Sequence, residues 1–347
     1  MKTKIICTLG PASSDQHTIE ALIGAGMSVA RLNFSHRKLN ELAGTVRKIR
    51  LASKRANKKI IIMGDLQGPK IRIGYFKTAM INLSENHDFI FTPDKIIGNQ
   101  HIVSVDYTDL YKYLLPKDRI FLDDGKIELE VKRVRTKQIQ CRVIVGGPLS
   151  ARKGLSVLNK QLPLPGITPQ DAIDLKCGIQ CGMDWFAHSF VRQACHVTEL
   201  KELARSNGAK KLFVISKIED SEGVENIDEI IKVSDGIMVA RGDLGVSMDR
   251  ALVPLLQKQI TEKCNKAHRL DIVATQVMDS MISHPYPTRA EVNDVAVAVM
   301  QGSQYLMLSG ETAVGKYPVK TTSEMARIIE VIEKNLKGIN PHSRFNR

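Results

Sequence analysis

The sequence predicts an α/β protein: a (β/α)8 TIM barrel with an inserted small β-rich lid domain. Three observations lead there. Eight short β-rich runs recur along the chain, helical patterns separate them, and a stretch of roughly ninety residues after the third run switches to a period near two. Eight strands alternating with helices favour a closed barrel over a doubly wound sheet.

The first run is Lys4–Gly10. Gly24-Ala-Gly26 precedes the second run, Val29–Ser35, so it reads as a helix-end turn and not as a dinucleotide fingerprint, which follows a strand. Leu39, Leu42, Val46, Ile49 and Ala56 then recur at helical spacing and leave Arg47, Lys48, Arg50, Lys54, Arg55, Lys58 and Lys59 on an outer basic face. The third run is Ile60–Leu66. From Ile71 to Leu162 the pattern alternates, in 119–122, 126–131 and 138–145, with Asp123-Asp-Gly125 and Gly146-Gly-Pro148 as turns. The expected division is therefore barrel over 1–70, inserted β domain over 71–162 and barrel again over 163–347, with the insert placed over the C-terminal face of the barrel.

The remaining runs are Asp184–Phe190, Leu212–Glu219, Gly236–Leu244, Asp271–Met278 and Tyr305–Glu311. Helical patterns lie over His196–Ser206, Ser221–Val233, Leu255–His268, Thr288–Met300 and Val319–Asn335. The last carries Met325, Ile328, Ile329, Ile332 and Leu336 on one stripe.

Composition narrows the function classes. The chain has 347 residues, 43% hydrophobic and 25% charged, with a net charge of +13, ordinary for a globular protein except in its charge. Residues 1–70 carry a net +9, residues 71–162 a net +5 and residues 163–347 a net −1. No aromatic residues interleave with the basic helix as a base-stacking platform requires, so its charge reads as a solvated face and no nucleic-acid partner is expected. No apolar run reaches the roughly 18 residues of a membrane span, and no signal segment is evident at Met1–Gly10. Six cysteines are too few for a disulfide framework, and the CxxxC at Cys177 and Cys181 reads as buried free thiols rather than zinc ligands. A cytoplasmic protein without a membrane partner is expected.

Polar residues close almost every run: Arg31, Asn33 and Ser35; Asp65; Ser189; Lys217 and Glu219; Arg241, Gly242 and Asp243; Thr275; Ser309 and Glu311. In a barrel, such positions face one rim and read as chemistry. Lys217 and Glu219 are two apart on a strand and share a side; they either pair with each other at the rim or serve a site. Glu219 and Asp243 offer two carboxylates from neighbouring strand ends, which suits Mg²⁺ with waters and substrate oxygens. The glycines in Ala240-Arg-Gly-Asp-Leu-Gly245 let backbone N–H groups approach a carboxylate or phosphate. Gly310-Glu-Thr-Ala-Val-Gly-Lys316 is no P-loop, because Tyr317 stands where Ser or Thr must reach Mg²⁺. Asp123-Asp-Gly125 lacks the other ligands of a calcium loop. His188 reads as a hydrogen-bonded rim histidine.

The segments Thr3-Lys-Ile-Ile-Cys-Thr-Leu-Gly-Pro-Ala-Ser13, Ala30-Arg-Leu-Asn-Phe-Ser-His36, Gly68-Pro-Lys-Ile-Arg72, Ile215-Ser-Lys-Ile-Glu219 and Asp235–Gly245 resemble pyruvate kinases. So do Ala274-Thr-Gln276, Pro287-Thr-Arg-Ala-Glu291 and Met307-Leu-Ser-Gly-Glu-Thr312, in the same order and over nearly the whole chain. The resemblance implies phosphoryl transfer from phosphoenolpyruvate to ADP in glycolysis. It makes Lys217 the cation on the transferring phosphoryl, Arg31 the phosphate clamp, and Thr275 the group through which the enolate is protonated. Glu219 and Asp243 would hold Mg²⁺, with Mn²⁺ as a substitute; Gly242, Asp243, Thr275, Lys217 and Ser189 would bind the substrate. Asn33, His36, Arg72 and Lys153 would face the nucleotide, Lys153 as the lid closes.

The family's monovalent-cation region corresponds to Asn33, Ser35, Asp65 and Leu66. Leu66 stands in a threonine position and Lys70 in a glutamate position, the pattern of a branch that needs no potassium; a tethered ammonium at Lys70 replaces the ion. Other departures are Gly154-Leu-Ser-Val-Leu158 after the hinge lysine, His188 for a small residue, and Val297 and Val314 for Asn and Lys. None removes the residues of the expected chemistry. Alternatives are a Mg²⁺-dependent barrel lyase for pyruvate or oxaloacetate, and a catalytically weak paralogue acting as a binding protein. The resemblance stops after the eighth helix, short of the family's regulatory C-terminal domain. The expected assembly is a monomer, or a homodimer through the barrel surface near 287–299, and light scattering that returns a tetramer overturns it.

Overall fold

A computed structural model describes residues 1–36 and 39–336 of the chain. The eight barrel strands are Lys4–Thr8, Met27–Asn33, Ile61–Asp65, Trp185–His188, Phe213–Ile218, Gly236–Ala240, Leu270–Ala274 and Tyr305–Leu308. Each pairs in parallel with its neighbours in chain order, and the eighth returns to the first, so the sheet closes. Strands covered on both faces read as continuous apolar runs; Trp185–His188, Gly236–Ala240 and Tyr305–Leu308 are buried at every position. Closure leaves no free edge for another chain to pair with.

The barrel interior is filled by Ile6, Val29, Met63, Trp185, Ala187, Ile215, Met238, Ile272, Ala274, Tyr305 and Met307. Trp185 stacks on Phe213 at 4.8 Å and meets Tyr305 edge-on at 5.6 Å. The outer helices start where the sequence supplies caps. Thr168 with Asp171, and Thr288 with Glu291, form reciprocal capping boxes at Pro169–Gln180 and Arg289–Met300.

The chain divides into two compact units. One comprises Met1–Gly68, Gly166–Arg241 and Pro254 onward, and the other Pro69–Pro165 with Gly242–Val253. The second unit contains a six-stranded sheet in the order Leu155–Val157, Arg119–Leu122, Ile127–Arg135, Gln138–Val145, Asp88–Thr92, Ile102–Ser104. A two-stranded sheet pairs Gly147–Ser150 with Met80–Leu83. Phe89, Phe91, Val103, Leu129 and Val143 belong to its own apolar core.

The structure trims several expected elements. The fourth, sixth, seventh and eighth strands end at His188, Ala240, Ala274 and Leu308. In each case the polar residues that follow leave the sheet, at Phe190 (φ 53°), in the helix Arg241–Ser247, at Thr275 (φ 68°), and in the helix Gly310–Ala313. The expected helix over 221–233 is two helices, Ser221–Glu225 and Ile227–Val233, broken at Asn226, whose side-chain amide donates to the Arg192 carbonyl at 2.9 Å. Cys7, Cys141 and Cys264 are buried, whereas Cys177 and Cys181 are half-buried and Cys195 is exposed. Burial pushes the Cys7 and Cys264 thiols up to about 12. Among the described residues no helix is long and apolar enough to cross a membrane.

Ile272 is completely buried in the inner layer. Ile272→Ala is expected to cost about 2–5 kcal/mol of stability. Urea titration followed by fluorescence of Trp185, the single tryptophan, checks this, because that ring lies in the same cluster.

Candidate active site

At the C-terminal ends of the first five strands, one group from each end joins a continuous polar chain. Arg31 donates from Nη1 to Thr8 Oγ1 at 2.9 Å and from Nε to Asp65 Oδ2 at 2.6 Å. Lys217 Nζ donates to Asp65 Oδ1 at 3.2 Å and to Ser189 Oγ at 2.6 Å, and lies 3.1 Å from Glu219 Oε1. Ser189 donates to the Leu66 carbonyl at 2.7 Å, and the Phe190 N–H donates to Glu219 Oε2 at 2.6 Å. Lys217 and Glu219 thus share a side, as their spacing predicts, and they do pair with each other.

Two cations face two carboxylates, so the buried charge sums to zero. Asp65 is 1% exposed. Burial pushes its carboxyl up, and the adjacent Arg31 and Lys217 charges outweigh that and hold it below the usual carboxylate range. The arrangement presents a fixed ammonium and a guanidinium, the groups needed where negative charge spreads over phosphoryl oxygens. Asn33 and Ser35 are tied together, the Ser35 N–H donating to Asn33 Oδ1 at 3.1 Å. The side chain of His36 lies outside the described residues.

Thr275 directly follows the seventh strand. It and Gln276 adopt φ of 68° and 53°, a conformation that costs non-glycine residues of order 1–3 kcal/mol each. The Thr275 hydroxyl donates to the Ala274 carbonyl at 2.6 Å. Glu311 is 1% exposed, burial pushes its carboxyl up, and it accepts the Met278 N–H at 3.1 Å and the Ser309 N–H at 2.7 Å.

In the second unit, Gly242 and Asp243 lie in the first turn of the helix Arg241–Ser247. Backbone N–H groups at the start of a helix suit an anion. Asp243 Oδ1 accepts from Lys70 Nζ at 2.8 Å, and Lys70 also reaches Asp124 at 3.2 Å. Lys153 pairs with Asp123 at 2.6 Å. Burial pushes the Asp123 carboxyl up, and hydrogen bonds from Lys153 and Lys126 outweigh it and hold it low. Asp123, Asp124 and Gly125 are three successive left-handed residues, which turn both carboxylates toward these lysines. Arg72 donates to the Arg152 carbonyl at 3.0 Å.

Two barrel residues pin the backbone where the chain leaves and re-enters the first unit. The Gly68 N–H donates to Asp171 at 3.0 Å, and Gly68 adopts φ 69° with no room for a Cβ, which would lie 2.8 Å from Ser189 Cβ. His188 is buried, and its Nε2 is 2.8 Å from the Gly166 carbonyl, which can only accept, so Nε2 carries the proton. Burial lowers this histidine to about 4. Sequence reasoning placed Arg31, Asp65, Ser189, Lys217 and Glu219 together and missed Thr8, although Thr8 also closes a strand run. Asp294 carries no local signal, being reached through a tertiary contact with Arg241; Asp171 carries a capping signal with Thr168, but nothing in it points to Gly68.

Residues 1–322 match the family described as "Pyruvate kinase, barrel domain". The pyruvate kinase of Clostridium perfringens is 43% identical over 336 residues, covering 96% of this chain and 71% of that protein. Those of Geobacillus stearothermophilus and Thermococcus litoralis are 43% and 42% identical, covering 97% and 96% of this chain. The chain spans 58% of the Geobacillus protein and 70% of the Thermococcus one.

His188 provides a pH test of the barrel's interior. The unfolded histidine binds a proton near 6.5 and the folded one only near 4, so the unfolded state binds more protons between these values and stability falls as pH falls through them. The loss amounts to roughly 3 kcal/mol across that window. His188→Gln, which keeps an N–H for Gly166 but does not titrate, is expected to flatten this part of the curve when urea midpoints are compared at pH 7 and pH 4.5.

Proposed function

Because the chain belongs to the pyruvate kinase family, we propose that it transfers the phosphoryl group of phosphoenolpyruvate to ADP, giving ATP and, after protonation of the enolate, pyruvate. The observation that carries this reading is the half-buried Lys217 ammonium, fixed by Asp65, Ser189 and Glu219 beside the Arg31 guanidinium. A phosphoryl group in flight carries negative charge on its outer oxygens, and catalysis consists largely of positioning and charge stabilisation. Lys217 would hold that charge, and Arg31, which uses Nε and Nη1 on Asp65 and Thr8, would present its remaining face to the phosphate. The Gly242 and Asp243 N–H groups with Thr275 would seat the substrate carboxylate, Ser189 would keep Lys217 aimed, and Thr275 would pass a proton to the enolate carbon. Asn33, His36, Arg72 and Lys153 would meet ADP.

Glu219 and Asp243 would hold Mg²⁺ or Mn²⁺. Their chemistry fits a hard divalent cation: both are carboxylates already balanced by an ammonium, Lys217 on one and Lys70 on the other. When bound, the ion supplies Lewis acidity to the substrate oxygens. For the region of Asn33, Ser35, Asp65 and Leu66, the reading is that Lys70 replaces potassium as the monovalent charge. The enzyme would work in the cytoplasm as a monomer or homodimer.

A coupled assay with phosphoenolpyruvate, ADP and Mg²⁺ tests the reaction. Lys217→Met is expected to lower kcat on the order of 10³-fold; pyruvate formation that proceeds equally without ADP would instead mark a lyase. The rate is expected to be the same in potassium-free and potassium-containing buffer, and Lys70→Glu is expected to make it potassium-dependent. A wild-type rate that collapses without potassium and returns with it overturns the role given to Lys70.

A further inference from the structure

Arg241 follows the sixth strand directly, where an arginine would ordinarily be read as a second phosphate ligand. The structure uses all five of its N–H groups internally. Nε donates to the Thr275 carbonyl at 3.2 Å, and Nη2 to the carbonyls of Thr275 at 2.8 Å and Gln276 at 3.2 Å. Nη1 donates to Asp294 Oδ1 at 2.7 Å and to Gln257 Oε1 at 3.3 Å. Five donors and five bonds leave nothing for a substrate oxygen.

We propose that Arg241, anchored by Asp294, is a positioning residue that holds Thr275 and Gln276 in their left-handed conformation and thereby sets the direction of the Thr275 hydroxyl. The inference rests on the role given to Thr275 above. Neither residue is glycine, and a β-branched threonine at φ 68° is a rare conformer that persists only where its surroundings impose it. The guanidinium imposes it from the carbonyl side, spanning two consecutive carbonyls with one rigid plane. Glu311 fixes the far end from the N–H side, through Met278. The Arg241 side chain is only 13% exposed, so water competes weakly for these bonds. Asp294, on the helix Arg289–Met300, sets the rotation of the guanidinium and balances its charge. Lysine at position 241 keeps the charge but cannot reach Asp294 and two carbonyls in one plane.

The test compares wild type with Arg241→Lys, Arg241→Met and Asp294→Asn in the full chain, using two readouts. Hydrogen exchange of the 275–278 amides in substrate-free protein reports the segment itself. Steady-state kinetics with phosphoenolpyruvate, ADP and Mg²⁺ reports its consequence. Faster exchange confined to this segment is expected in all three variants, with kcat lowered on the order of 10²-fold in the Arg241 variants and KM for ADP changed less than about twofold. Asp294→Asn, which keeps the arginine and one acceptor oxygen, is expected to fall between them and wild type, and it carries the test if Arg241→Met fails to fold. Unchanged exchange at 275–278 overturns the proposal. So does a rise in KM for phosphoenolpyruvate with kcat preserved, which marks Arg241 as a substrate ligand. If wild type makes no pyruvate from phosphoenolpyruvate and ADP, the reaction assignment fails, and the exchange measurement still decides whether Arg241 holds the segment.

Discussion

The carboxylate of Asp65 is the constraint on which the barrel rim depends. A buried carboxylate must be paired and hydrogen-bonded, and Asp65 meets this by taking one cation from each side, Arg31 from the second strand and Lys217 from the fifth. Those strands flank the third and fourth in the closed sheet. Adjacent strands lie about 4.8 Å apart, a distance that the long arginine and lysine side chains span to reach Asp65. Thr8 and Ser189 fill the shorter gaps, one under Arg31 and one beside Lys217. Removing one member of such a buried group leaves the opposite charge uncompensated, which is why breaking a buried pair costs more than the pair contributes. The same pairing fixes the Lys217 ammonium at the ends of the strands, between Asp65 and Ser189.

The opposite side of the rim solves a different problem. After the sixth, seventh and eighth strands the chain must turn sharply into helices, and it does so through Arg241, through Thr275 with Gln276, and through Ser309 with Glu311. Backbone strain there is held by charge. A guanidinium binds the carbonyls, and a carboxylate binds the N–H groups. Burial pushes the Glu311 carboxyl up, and the N–H groups of Met278 and Ser309 that it accepts oppose that without cancelling it. The first five strands thus contribute electrostatics and the last three contribute backbone geometry.

Much of this was legible in the sequence, for identifiable reasons. Strand count, strand order and the β-rich insert follow from periodicity, and the rim residues follow from polar groups terminating apolar runs. Strand ends were overestimated because a polar residue just past a strand looks like its last member; only left-handed φ at Phe190 and Thr275 distinguishes the two. The basic face of the helix Leu39–Arg55 and the loop after it is largely exposed, as its pattern predicts, and it also makes contacts that the pattern does not show. Arg50 donates to the carbonyls of Ile60 and Gly182 and pairs with Asp184; Lys48 and Lys58 reach the carbonyls of Ser14 and Ile23; Arg55 pairs with Glu20. Those cations satisfy chain ends and turns around the barrel, a role that composition cannot reveal because the acceptors are distant backbone atoms. Asp294 was unreadable for the same reason, its partner lying 53 residues away.

Lys70 shows how a cation can balance an acidic residue within its own unit. Asp243 opens a helix and carries a negative charge that, like that of Glu219, requires a cation. Glu219 has Lys217 within its own unit, and Asp243 has Lys70 within its own. Each carboxylate is therefore neutralised by a neighbour covalently part of the same unit, and neither unit has to fold around an unbalanced charge. An ammonium on a flexible stem is also the kind of partner that can yield, since its three donors carry no directional fork.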